Sequence, residues 1–322
     1  MQPAALVPRK IAIVGAGSVG ATAAYACQIR GVCDEIALYD IDGAKAAAQA
    51  QDLQHGAPFT PTVAVEGGDD IGLCAGAAVI LFAAGAKQPP GVSRLALTQR
   101  NSDLLGQIVP RLMEVNPAAT LLMVSNPVDV LTYGALKLSG LPRSRVLGTG
   151  TVLDSARFRS LIGSRLRVAA RHVHAYVAGE HGDSEIPLWS SAAVGTMPLR
   201  DWAVMGHGRL DVRARTEITQ QTRTAAAQIV AGKGATWFAI GLCCAVIVDA
   251  LFDDTARVLP VSAYVDEQDG IEGVGDVCLG LPRLVSHAGV EPPLNIPMND
   301  NERAGLRNSA EVLRAAIREA GF

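Results

Sequence analysis

An α/β fold, with a doubly wound parallel sheet followed by an α+β part carrying antiparallel strands, is the class that this sequence predicts. Three observations carry the prediction. Strand-like apolar runs alternate with helix-like stretches through the first 148 residues, a glycine-rich turn stands at the first such junction, and the texture changes after Gly148.

Ile11 to Val14 is a short β-branched run that ends at Gly15, and Ser18 to Arg30 is Ala-rich with good helix propensity. Glu35 to Tyr39 reads as a second strand ending at Asp40, and Ala44 to Leu53 as a second helix. Ala78 to Phe82 and Thr120 to Val124 read as buried strands, with a helix over Leu95 to Val115 between them. Beyond Gly148 come an Arg-rich helix, a strand at His172 to Val177 and a long polar helix around Leu210 to Val230. Val258 to Val265, Val277 to Leu279 and Arg283 to His287 read as antiparallel strands, and Asp300 to Glu319 as a closing amphipathic helix. The expected division is 1–148 and 149–322.

At 322 residues, 49% of them hydrophobic and 18% charged, the chain buries a core of ordinary size in each part. A net charge of −3 gives no overall attraction to polyanions, so a small molecule is a better expected partner than nucleic acid. The six cysteines contain no C-x-x-C pair, which fits reduced thiols, and no metal site is expected. The apolar run Gly234 to Val248 is too short to span a bilayer and reads as a buried helix. Met1 to Lys10 lacks a signal-peptide core, so the expected location is the cytoplasm, without a membrane partner.

Gly15-Ala16-Gly17-Ser18-Val19-Gly20 follows a strand and opens a helix, the context that a dinucleotide fingerprint requires. Gly15 permits the tight turn, Gly17 lets backbone N–H groups approach a pyrophosphate, and Gly20 lets the helix pack on the strand. Asp40, twenty positions beyond Gly20, is placed to accept hydrogen bonds from ribose hydroxyls and to repel a 2′-phosphate. NAD is therefore expected rather than NADP.

Gly179-Glu180-His181-Gly182-Asp183-Ser184 sets one histidine in a polar, Gly-flanked turn after a strand. Hydride transfer to a carbonyl needs a proton donor that titrates near neutrality, which imidazole offers. In Leu153 to Arg159 a carboxylate, Asp154, and a guanidinium, Arg157, stand three residues apart and share one helix face. One is suited to hold the histidine, the other a carboxylate substrate. Taken singly, Arg157 reads equally well as a surface charge and Asp154 as a helix cap.

These segments, with Gly85 to Arg94, Ser125-Asn126-Pro127-Val128-Asp129 and Lys233-Gly234-Ala235-Thr236, resemble the L-lactate and malate dehydrogenase family in identity, order and spacing over nearly the whole chain. The resemblance implies a Rossmann NAD-binding domain and a substrate domain. It implies that His181 donates and accepts the proton, that Asp154 fixes its tautomer, and that Arg157 grips the substrate carboxylate through two parallel bonds. Arg94, on a closing loop, would polarise the substrate carbonyl. Asn126 would lie near nicotinamide and substrate, and Thr236 would line the substrate pocket.

Gln88, six residues before Arg94, stands where lactate-type members carry glutamine and malate-type members arginine. A neutral side chain leaves a second substrate carboxylate unpaired and favours pyruvate and L-lactate, although Lys87 is also within reach of such a charge. Malate, larger 2-keto acids and a non-catalytic NAD-binding role remain the alternatives. Between Asp154 and Glu180 no acidic residue occurs, while Arg157, Arg159, Arg165, Arg167, Arg171, His172 and His174 gather. By resemblance, Arg159 and His174 match the pair through which many bacterial relatives bind fructose 1,6-bisphosphate between subunits, and a homotetramer or a dimer that tetramerises is implied.

Overall fold

The computed structural model describes residues 9–86, 94–202 and 210–322, and for 94–96 the backbone alone. Six parallel strands form the first half: β1 (Lys10–Val14), β2 (Glu35–Tyr39), β3 (Ala64–Gly68), β4 (Val79–Phe82), β5 (Thr120–Met123) and β6 (Val146–Gly148). Between them run α1 (Ser18–Arg30), α2 (Gly43–His55), α3 (Arg94–Val115) and α4 (Val128–Ser139). Their order is β3-β2-β1-β4-β5-β6, so the chain reverses direction between β1 and β4. Sequence reading placed four of the strands and missed β3 and β6. The first is an edge strand that ends in two glycines, and the second has three residues, so neither carries a legible apolar period.

Both faces of this sheet are covered, which is why its central strands are apolar without alternation. Ile11, Ile13, Val79 and Leu81 face α1, while Ala12, Val14, Ile80 and Phe82 face α3 and α4. The second half comprises α5 (Val152–Leu166), the short strands β7 (Val173–His174), β8 (Val177–Ala178), β9 (Ile186–Pro187), β10 (Ala193–Val194) and β11 (Met197–Pro198), then α6 (Val212–Lys233) and α7 (Phe238–Leu251). It closes with β12 (Arg257–Leu259), β13 (Ser262–Val265), β14 (Val277–Gly280), β15 (Arg283–Ser286), β16 (Gly289–Pro293) and α8 (Asp300–Glu319).

Three readings of this half need correction. Val258 to Val265 is two strands in two sheets, because Pro260 cannot donate to a ladder and its carbonyl is taken by the N–H of Thr151. β12 pairs with β15, whereas β13 continues the large sheet beyond β6 and carries β14. His172 to Val177 likewise divides into β7 and β8, which join different small sheets. The apolar run from Gly234 is buried on one side only: Gly234 ends α6 at φ +86°, and α7 packs on α1 while Phe238 and Leu242 stay exposed. Among the described residues no helix is long and apolar enough to cross a membrane.

The α1–α7 contact is close because Gly241 has no side chain: a Cβ there would lie 2.7 Å from Thr22 Cγ2 and 2.9 Å from its backbone. Gly241→Ala is expected to lower stability by about 1–3 kcal/mol, through forced separation of the two helices. Urea denaturation followed by circular dichroism measures the loss.

Candidate active site

The loop between β1 and α1 and the end of β2 meet at the carboxyl edge of the sheet. Gly15 takes φ +102°, and a Cβ on it would come within 2.7 Å of the Ala84 backbone. A Cβ on Gly20 would lie 1.9 Å from the Gly15 carbonyl oxygen, so both glycines are needed for α1 to start where it does. At Gly17 the same construction meets nothing within 4 Å, which leaves the helix N-terminus at Ser18 and Val19 open to an anion. Asp40 does more than wait for a ligand. Its carboxylate accepts from the N–H groups of Ala16 at 2.7 Å and Asp42 at 3.0 Å and from Lys45 Nζ at 3.1 Å. Burial pushes its carboxyl up, but these donors outweigh burial and hold it below the usual range. The Asp40 carboxylate thus braces the glycine loop, and Lys45 is a cation that sequence reading overlooked.

The histidine turn is hung from α5. Thr151 Oγ donates to the Val177 carbonyl at 2.6 Å, and Ser155 Oγ accepts from the Val177 N–H at 2.8 Å, so both polar groups of that β8 residue are fixed by the first turns of one helix. Glu180 N–H donates to Ser309 Oγ on α8 at 2.6 Å, and His181 N–H to Asp129 Oδ2 on α4 at 2.7 Å. Held in this way, His181 Nδ1 lies 2.6 Å from Asp154 Oδ2, and the other oxygen of Asp154 accepts from Arg157 Nη1 at 2.5 Å. One carboxylate, 2% exposed, joins the two cationic groups.

Burial disfavours the charged form of each group, and their mutual attraction prevails. For His181, desolvation lowers the pKa, but the charge and hydrogen bond of Asp154, followed by Asp129 and Glu185, raise it to about 9. Asp154 is pushed up by burial and brought below the usual carboxylate range by His181 and Arg157, with its place in the first turn of α5 acting in the same direction. Asp129 is fully enclosed, which pushes its carboxyl up to about 6.

Asn126 precedes a cis peptide bond to Pro127 at the end of β5, with its side chain exposed. Its carbonyl accepts from Asn101 Nδ2 at 2.7 Å, and Asn101 Oδ1 accepts from Ala86 N–H at 2.8 Å, so one α3 side chain ties the loops after β4 and β5. Thr236 is half-buried in the turn between α6 and α7. Among the described residues no hydrogen bond links Asn126 or Thr236 to the His181–Asp154–Arg157 group. Arg94 opens α3, its side chain lying outside the described residues, as does Gln88 altogether. Asp129, Thr151, Ser155 and Asn101 were not foreseen, because each acts on backbone groups far away in the sequence.

Residues 9–148 match the model of the lactate/malate dehydrogenase NAD-binding domain, and residues 151–321 that of the lactate/malate dehydrogenase alpha/beta C-terminal domain. The chain is 46% identical over 316 residues to an L-lactate dehydrogenase of Bifidobacterium animalis subsp. lactis, covering 98% of each, and 44% identical over 315 residues to one of Thermus aquaticus, covering 97% of this chain and 100% of that protein. Among solved structures, it superposes with a TM-score of 0.91 and 37% identity on the minor L-lactate dehydrogenase of Enterococcus mundtii, covering 97% of this chain and 98% of that one. A lactate dehydrogenase from a Medee basin deep-sea metagenome library gives a TM-score of 0.92 and 36% identity, covering 98% of this chain and 100% of that one.

The chain belongs to the lactate/malate dehydrogenase family. It is an NAD-dependent oxidoreductase of that family, and the open cradle at Gly17 beside Asp40 fits its cofactor. Replacing the carboxylate, as in Asp40→Ser, removes a charged acceptor and the brace on Ala16. The KM for NADH is expected to rise about tenfold and the preference over NADPH to narrow. Initial rates with both nucleotides test this.

Proposed function

We propose that the chain is an L-lactate dehydrogenase that interconverts pyruvate and L-lactate. The observation that carries the reading is Asp154 bridging His181 and Arg157, because a proton donor and a carboxylate clamp must be held in fixed relation to act on one 2-keto acid. The curated relatives named above support lactate as the substrate. Gln88, as a neutral residue, supports it too.

Gly15, Gly17, Ser18, Val19, Gly20, Asp40 and Asn126 would hold NAD, which when bound supplies or takes the hydride. Residues 1–148 carry this part and 149–322 the substrate part. With His181 Nδ1 committed to Asp154, the transferable proton sits on Nε2 and goes to the substrate carbonyl oxygen. Arg157 has one nitrogen on Asp154, and the remaining N–H groups of its fork take the substrate carboxylate. By the family resemblance Arg94 would polarise the carbonyl, and Gln88 and Thr236 would meet the substrate's side chain.

Two finer points belong to the same reading. The enzyme is a cytoplasmic homo-oligomer, a tetramer or a dimer that tetramerises: Tyr25, Phe59 and Phe238, all exposed, border one cavity of about 550 Å³ beside α1, a face suited to a second copy. Fructose 1,6-bisphosphate activates it at Arg159 and His174. The Arg159 guanidinium lies 5.7 Å from the Tyr176 ring centre, its Nε has no partner among the described residues, and His174 is exposed on the adjoining β7.

Rates of NADH oxidation with pyruvate and with oxaloacetate test the substrate. Pyruvate is expected to be favoured about a hundredfold, since a second carboxylate is left unpaired at Gln88. Preference for oxaloacetate overturns the lactate reading, and rates and sedimentation mass that ignore added bisphosphate overturn the effector site. The sign of the pH dependence follows from His181. Pyruvate reduction needs imidazolium, so kcat/KM is expected to hold up to about pH 9 and to fall about tenfold per unit above it, whereas lactate oxidation rises towards that value.

A further inference from the structure

Glu185 closes the turn that begins at Gly182, its N–H donating to the Gly182 carbonyl at 3.3 Å just ahead of β9. The residue is 3% exposed, and its Oε1 has no hydrogen-bond partner among the described residues. A buried carboxyl with an unbonded oxygen is costly, and costlier when ionised.

The charges whose fields reach its carboxyl come from three elements: Asp154 and Arg157 on α5, Arg223 on α6, and His181 four residues before it in the same loop. Asp129, on α4, faces the histidine from another side. Arg223 Nη2 donates to the main-chain carbonyl of Glu185 at 2.7 Å, so the guanidinium lies against this residue while Oε1 stays unbonded. Burial, then the neighbouring charge of Asp154, pushes the Glu185 carboxyl up to about 8, with His181, Arg223 and Arg157 acting the other way.

We propose that Glu185 is a positioning residue for proton transfer: neutral, it leaves the His181–Asp154 pair undisturbed, and on ionising it sets a buried negative charge in the same short loop as His181 that keeps the imidazole protonated. The effect extends pyruvate reduction to higher pH. It rests on His181 being the proton donor. No atom of Glu185 needs to touch the substrate, and the only covalent change in Glu185 is loss of its own proton to solvent.

The test compares wild type with E185Q by nuclear magnetic resonance and by rate. In wild type carrying ¹³C-labelled glutamate, one carboxyl resonance is expected to titrate near pH 8, and its absence above neutrality overturns the proposal whether or not the variant folds. In E185Q the His181 resonance and the alkaline limb of pyruvate kcat/KM are expected to move down together by about half a pH unit. The wild-type-to-variant ratio then grows about threefold as pH rises through that limb. E185D, which restores a carboxyl, is expected to recover the limb. A ratio constant with pH and an unmoved His181 titration overturn the proposal and leave Glu185 a packing residue. A His181 titration that moves without the rate profile instead overturns His181 as proton donor, and with it the role of Glu185.

Discussion

Asp154 is the charge on which the site depends. A carboxylate 2% exposed is a heavy desolvation cost, and it persists because both its oxygens are engaged by cations and it stands in the first turn of α5. Removal of Asp154 leaves both cations without their shared counter-charge, and removal of either cation leaves one oxygen of a buried carboxylate unpaired. The geometry is therefore one unit: the His181 imidazole and the Arg157 guanidinium cannot shift independently. Thr151 and Ser155 extend that unit into the backbone, since they tie β8 to the helix that bears Asp154.

The cofactor side is assembled by a different device, the reversal of strand order between β1 and β4. That reversal brings the turn after β1, the end of β2 and the loops after β4 and β5 to one edge of the sheet. Small side chains and single polar residues then hold the loops together. Asp40 joins the glycine turn to the end of β2, and Asn101 joins the two loops that flank the expected substrate position. The second half of the chain reinforces the first through β13, which extends the sheet, and through α7, which covers α1.

Around His181 the protein has gathered acids. Asp154, Asp129 and Glu185 come from three separate segments, and two of them, Asp129 and Glu185, are held above the ordinary carboxyl range by burial. Their combined field favours imidazolium against the desolvation that opposes it. A histidine of this kind is biased towards its protonated form.

Local chemistry determined much of this in advance. The strands β1, β2, β4 and β5 are apolar runs bounded by turns, and α1, α3 and α8 have legible ends, because those signals act over a few residues. The glycine turn, Asp40, His181 and the Asp154–Arg157 spacing stand out in the sequence for the same reason, each being a pattern of a few neighbouring residues. Only the tertiary structure decided what lies far apart in the chain. It split 258–265 between two sheets at Pro260, because the Thr151 N–H takes the proline's carbonyl. It likewise brought Asp129 and Ser309 to the histidine turn, since pairings over tens of residues arise from packing and leave no period in the sequence.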